Sequence, residues 1–77
     1  MPAPLQRKDF MLREQMIEAA RAHAEAEVKL HQTNIEVYMQ KVVGIGEHSD
    51  IMETIQKELD AMAQADDRLE MLNKYFS

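Results

Sequence analysis

Apolar residues recur along most of this chain at intervals of three, four and seven positions, which is the period of an α-helix and not of a β-strand. In the first half this stripe consists of Phe10, Ile17, Ala20, Ala24, Val28, Ile35, Tyr38 and Val42, with His31 filling one step. The spacing predicts a first helix over about 9–43, preceded by a short tail over 1–8 that contains both prolines of the chain.

The first helix also carries a second, weaker apolar stripe. It runs through Leu12, Met16, Ala19, Ala26, Leu30 and Val37. Two stripes make a surface wider than the single apolar face of an ordinary amphipathic helix. We therefore expect that one neighbouring helix does not cover it.

The chain has one internal break, marked by Gly44 and Gly46. Gly44 is suited to ending a helix because glycine adopts the left-handed conformation without steric cost. Ser49 or Asp50 is suited to capping the next helix, since both side chains accept hydrogen bonds from free backbone N–H groups. The sequence predicts a turn over 44–49, which is short enough to make the two helices antiparallel neighbours.

The second predicted helix spans about 50–76. Its main apolar line has a spacing of seven and consists of Ile55, Met62, Leu69 and Phe76. We expect Met52 and Leu59 to fill the intervening positions of the same face, which become polar further along at Asp66 and Asn73.

Folding the two helices about Gly46 pairs residues whose numbers add to about 92. This register places Phe76 near Met16 and leaves the first fifteen or so residues without a partner. The fold class is all-α: an antiparallel two-helix hairpin in a single domain over 9–77, completed into a helical bundle by oligomerisation or by a partner. The interface should draw on eight apolar residues: Leu5, Phe10, Met11, Leu12, Met16, Ile17, Leu30 and Phe76.

Length and composition favour such an assembly. The chain has 77 residues and no cysteine, and cores of this size usually need a disulfide, a metal or a partner chain. The net charge is −5, and residues 42–77 carry eight acidic and three basic side chains. Nucleic acid binds chiefly to cationic surface, so we expect no nucleic-acid partner. The chain also lacks a signal-peptide pattern and a run of apolar residues long enough to span a membrane.

The residues with possible chemistry are few. His23, Glu27 and His31 are spaced four apart on one helical face, and Asp66 of the second helix is the candidate to approach them. Imidazole and carboxylate groups on facing helices can bind a divalent metal, but the Glu-x-x-His pairs of di-iron bundles are missing. A polar cluster within the helix interface is the favoured interpretation, with no metal and no cofactor. The adjacent His48, Ser49 and Asp50 cannot adopt triad geometry, and no catalytic residue or small-molecule substrate is predicted.

Two segments, GIGEHSDIMETIQKELDAM and DDRLEMLNKYF, together with KDFMLRE near the start, resemble short helical proteins encoded by large contractile-tailed phages of marine bacteria, including cyanophages. The resemblance implies a context and no particular site residues. It suggests a virion component or a small protein that acts inside an infected bacterium.

The sequence as a whole predicts a soluble, non-enzymatic interaction or assembly subunit, located in the cytoplasm or in a virion. One alternative is a small regulatory protein whose acidic second helix binds a single host or phage protein. The other is a helical bundle that binds metal through histidine and carboxylate side chains.

Overall fold

The fold consists of two α-helices packed against each other. The computed structural model describes residues 7–41 and 48–77, with the side chains of 11–41 and 50–77. Helix α1 spans Arg7–Lys41 and helix α2 spans His48–Tyr75. The described residues contain no strand, so the all-α helical hairpin expected from the periodicity is confirmed.

The helix ends lie within about two residues of the expected positions. α1 begins at Arg7, so residues 7 and 8 are helical and are not part of the tail. α2 begins at His48, which places Asp50 inside its first turn and not at the cap. An acidic side chain there still interacts favourably with the positive end of the helix dipole. Gly44 and Gly46 lie outside the described residues.

The buried core is small. Its members are two residues from each helix: Ala24, Ile35, Ile55 and Ala65. Half-buried side chains flank them, including Ile17, Val28 and Tyr38 of α1. The first stripe of α1 thus packs against α2. The six residues of the second stripe are all exposed, as expected if one neighbouring helix is too narrow to cover both.

The inward face of α2 differs from the one expected. Ile55, Met62 and Leu69 do turn toward α1, but Met52 and Leu59 are exposed. The second inward line is a different set with the same spacing of seven, namely Ile51, Glu58, Ala65 and Leu72. Ala65 has no exposed surface, and so small a side chain lets the helices approach closely. The polar Glu58 is accepted on this line because α1 supplies hydrogen-bond donors to it.

The register agrees with the expected pairing. Hydrogen bonds between the helices join Arg21 to Asn73 and Asn34 to Glu58, and the two residue numbers in these pairs add to 94 and 92. α1 has 35 residues and α2 has 28. The hairpin therefore has an open end, where the first turns of α1 project beyond the end of α2. We call residues 7–14 the overhang.

Candidate protein-interaction surface

A polar cluster lies within the helix interface near the middle of the hairpin. His31 Nδ1 donates a hydrogen bond to Glu58 Oε2 over 2.6 Å, and Asn34 Nδ2 donates to the same oxygen over 3.3 Å. The hydrogen bond from His31 is the main cause that lowers the pKa of Glu58; partial burial opposes it, and Asn34 adds a smaller lowering effect. The carboxylate is thereby held in its charged form inside the interface.

A second cluster joins the helices closer to the open end. The Arg68 guanidinium donates two hydrogen bonds to Glu27, of 3.0 and 2.8 Å, and His23 Nε2 lies 2.5 Å from the same carboxylate. The paired hydrogen bonds from Arg68 are the largest cause that lowers the pKa of Glu27, and they raise the pKa of Arg68 in return. This two-bond geometry fixes the orientation of both side chains.

These contacts separate the four residues considered as metal ligands. Glu27 is engaged by Arg68, and His31 faces Glu58. Asp66 is exposed and lines a different depression, together with Leu69, Glu70, Asn73 and Lys74. Within the part of the chain that the structure describes, no three His, Cys, Asp or Glu side chains are grouped in a way that could hold a metal ion. The arrangement is a pair of polar links between the helices.

The open end of the hairpin carries an apolar groove. One depression of about 430 Å³ is lined by Leu12, Arg13, Met16, Ile17 and Phe76. A second, of about 370 Å³, adjoins it at Phe76 and is lined mainly by Ala20, Ala24, Met71 and Leu72, with His23 and Arg68 at its edge. We call the two together the open-end groove. Alanines of α1 meet large apolar side chains of α2 in this second depression.

Several residues expected at the interface meet in this groove. Leu12, Met16, Ile17 and Phe76 line one depression, and all but the half-buried Ile17 are exposed. Met11 and Leu30 are exposed as well, but neither lines the groove. Leu5 and the side chain of Phe10 lie outside the described residues.

Other parts of this surface were not among the residues predicted for it. Met71 and Tyr75 are exposed near the open end, and Glu58 and Arg68 make the principal polar links to α1. The spacing of seven that joins Ile51, Glu58, Ala65 and Leu72 was visible in the sequence. It was passed over because two of its members are an acid and an alanine, which seldom mark a buried line.

Comparison of the chain with models of protein families, with curated proteins and with solved structures finds no match. Within the described ranges, neither helix has the length and apolar character needed to cross a membrane.

Proposed function

We propose that this chain is a non-enzymatic helical subunit that works by packing its exposed apolar side chains against other protein chains. The observation that carries the proposal is the small number of buried apolar side chains compared with the number that remain exposed. In the described residues, four apolar side chains are buried, whereas eleven large ones remain exposed. Fully burying one such side chain contributes about 1.5–3 kcal/mol. A partner that covers several of them therefore gains a large favourable contribution to the free energy of binding.

The arrangement of the exposed side chains supports the proposal further. Apolar residues scattered singly over a surface are normal and carry no implication. Here Met16, Leu30 and Val37 lie on one helical line with a spacing of seven, interrupted by His23. At the open end this line reaches the groove through Met16. An exposed strip of this kind is the surface that a further helix covers in a bundle.

Light scattering and native mass spectrometry of the purified chain at micromolar concentrations test this function. We expect reversible association that the double substitution Met16→Gln/Leu30→Gln weakens. Met39→Gln/Met52→Gln is the matched control, because Met39 and Met52 are 53% and 50% exposed, close to the 54% of Leu30, but lie off the strip. A stable, helical monomer whose melting temperature does not change with concentration would contradict the proposal.

A second candidate is a regulator that binds one basic protein through α2. Six acidic side chains of this helix are exposed: Asp50, Glu53, Asp60, Asp66, Asp67 and Glu70. Binding through them would weaken steeply as salt is added, since exposed charges are screened. The substitutions Asp66→Asn and Glu70→Gln should then reduce binding, whereas Met16→Gln should not. The opposite pattern would favour the apolar strip.

The resemblance of the sequence to phage proteins suggests where such a subunit acts. We place it in a virion or among the small proteins made during infection. Mass spectrometry of purified virions of a phage that encodes the chain distinguishes the two, because only a structural subunit is retained at fixed stoichiometry.

A further inference from the structure

We propose that the open-end groove is the docking site for a second copy of this chain, with the overhang of each copy lying antiparallel in the groove of the other. The inference rests on the proposed function and deepens it by naming the partner. In this arrangement Leu12 of one copy lies against Met16 of the other. By two-fold symmetry, the same contact forms twice.

The groove suits a second copy because the overhang is both the segment that docks and a part of the groove that receives it. The overhang consists of eight residues, which at a rise of about 1.5 Å per residue measure about 12 Å along the helix axis. Its described apolar side chains, Met11 and Leu12, are 55% and 56% exposed. Leu12 also belongs to the groove lining. A two-fold interface needs such a self-complementary patch, and closing it as a dimer leaves neither overhang uncovered.

Charge favours this end of the hairpin over the rest of the surface. Two copies that each carry a net charge of −5 repel one another, and the exposed carboxylates of α2 oppose contact along that helix. The groove lining contains no carboxylate: its charged or titratable side chains are Arg13, His23 and Arg68. Arg13 pairs with Glu14 and Arg68 pairs with Glu27, so the open end carries less unbalanced charge than the acidic face of α2.

The elongated hairpin exposes more surface than a compact protein of its size. Its total is 6339 Å² over all 77 residues, whereas a compact protein of 8.9 kDa exposes about 4,800 Å². The excess of about 1,500 Å² is spread along the whole chain, and about half of it equals the roughly 800 Å² that each partner buries in a typical specific interface. A second copy of the chain docked at the open end would cover part of this excess.

Disulfide crosslinking tests the contact directly, because the chain has no cysteine of its own. The variants Leu12→Cys and Met16→Cys are purified separately, mixed, and oxidised. We expect more covalent dimer in the mixture than in either variant alone, since a disulfide requires Cα atoms within about 7 Å. Leu59→Cys mixed with Met16→Cys is the control. Leu59 is 44% exposed on α2, about 25 Å along the hairpin from Phe76.

Association is measured in parallel on Leu12→Lys and Leu59→Lys, with circular dichroism to verify that both remain helical. We expect loss of the dimer at micromolar concentration for Leu12→Lys and retention for Leu59→Lys. If the parent chain associates but Leu12→Lys has no effect and the 12–16 crosslink is absent, the inference is overturned and the proposed function stands. If the parent chain is a stable monomer at micromolar concentration, both are overturned.

Discussion

Glu58 occupies a position on the inward face of α2 that an apolar residue would normally hold. Its carboxylate accepts hydrogen bonds from His31 and Asn34 of α1, and buried polar groups persist only when they are paired in this way. Each bond also depends on the two helices keeping their register, since a slip by one turn would leave the charge without donors. We therefore expect Glu58 to favour one pairing among the several that an apolar line alone would allow.

The hydrogen-bonded carboxylates make stability depend on acid pH. The folded-state pKa values of Glu58 and Glu27 lie below the ordinary 4.5. Their stabilising contribution is therefore present above pH 4.5 and is lost as the pH falls through the lower, folded-state values. We expect the melting temperature, measured at fixed protein concentration, to fall between pH 5 and pH 3.

Glu58→Gln separates this effect from general acid unfolding. The variant should have a lower melting temperature than the parent chain at pH 7, and its melting temperature should fall less between pH 5 and pH 3. The pH dependence that remains is expected to come from Glu27. Glu53→Gln, at an exposed position of the same helix, should follow the parent. A pH dependence in Glu58→Gln as steep as that of the parent would show that this carboxylate is not responsible.

At the scale of the helices, the packing relies on alanine opposite larger side chains. Ala24 and Ala65 are buried, and both lie on inward lines with a spacing of seven. Small residues at these points allow the helix axes to approach closely, so that a thin core of four residues still excludes water. The same close approach leaves little room for a larger side chain at either position.

Ala65→Leu tests this packing. Adding three carbon atoms where there is no free surface should destabilise the hairpin by about 1–3 kcal/mol in urea denaturation. Ala63→Leu makes the same change at an exposed position two residues away and should alter stability by about 0.5 kcal/mol or less. Equal effects at the two positions would refute the assignment of Ala65 to the inward line.

At the scale of the whole molecule, the exposed apolar surface and the net charge have opposite effects on self-association. The exposed apolar strip favours association, whereas the net charge of −5 disfavours contact between copies. The balance between these effects depends on ionic strength, because salt screens the repulsion and leaves the burial of apolar area intact or strengthened.

We therefore expect added salt to strengthen self-association. Sedimentation equilibrium at 50 and 500 mM sodium chloride should give a lower dissociation constant at the higher concentration. An increase of the dissociation constant with salt would mean that attractive charge pairs hold the copies together, which contradicts apolar docking.

Local patterning determined the helical elements of this protein. Helical spacing from Phe10 onward and the glycines at 44 and 46 were enough to predict two antiparallel helices, and the difference in their lengths was enough to predict the overhang. The exposure of the second stripe also followed from the sequence, since a helix in a pair has only one face covered. These features depend on the helical spacing of apolar residues, which can be read from the sequence without knowledge of tertiary contacts.

The tertiary structure alone decided which flank of α2 turns inward and which charged groups pair. Periodicity offered two lines beside Ile55, and hydropathy favoured Met52 and Leu59. The fold buries Ala65 and half-buries Glu58 in their place, because steric fit against α1 and donors from His31 and Asn34 outweigh the hydropathy of single residues. Glu27 likewise pairs with Arg68, 41 positions away. Such choices depend on the shape and chemistry of the opposing helix, which local spacing does not contain.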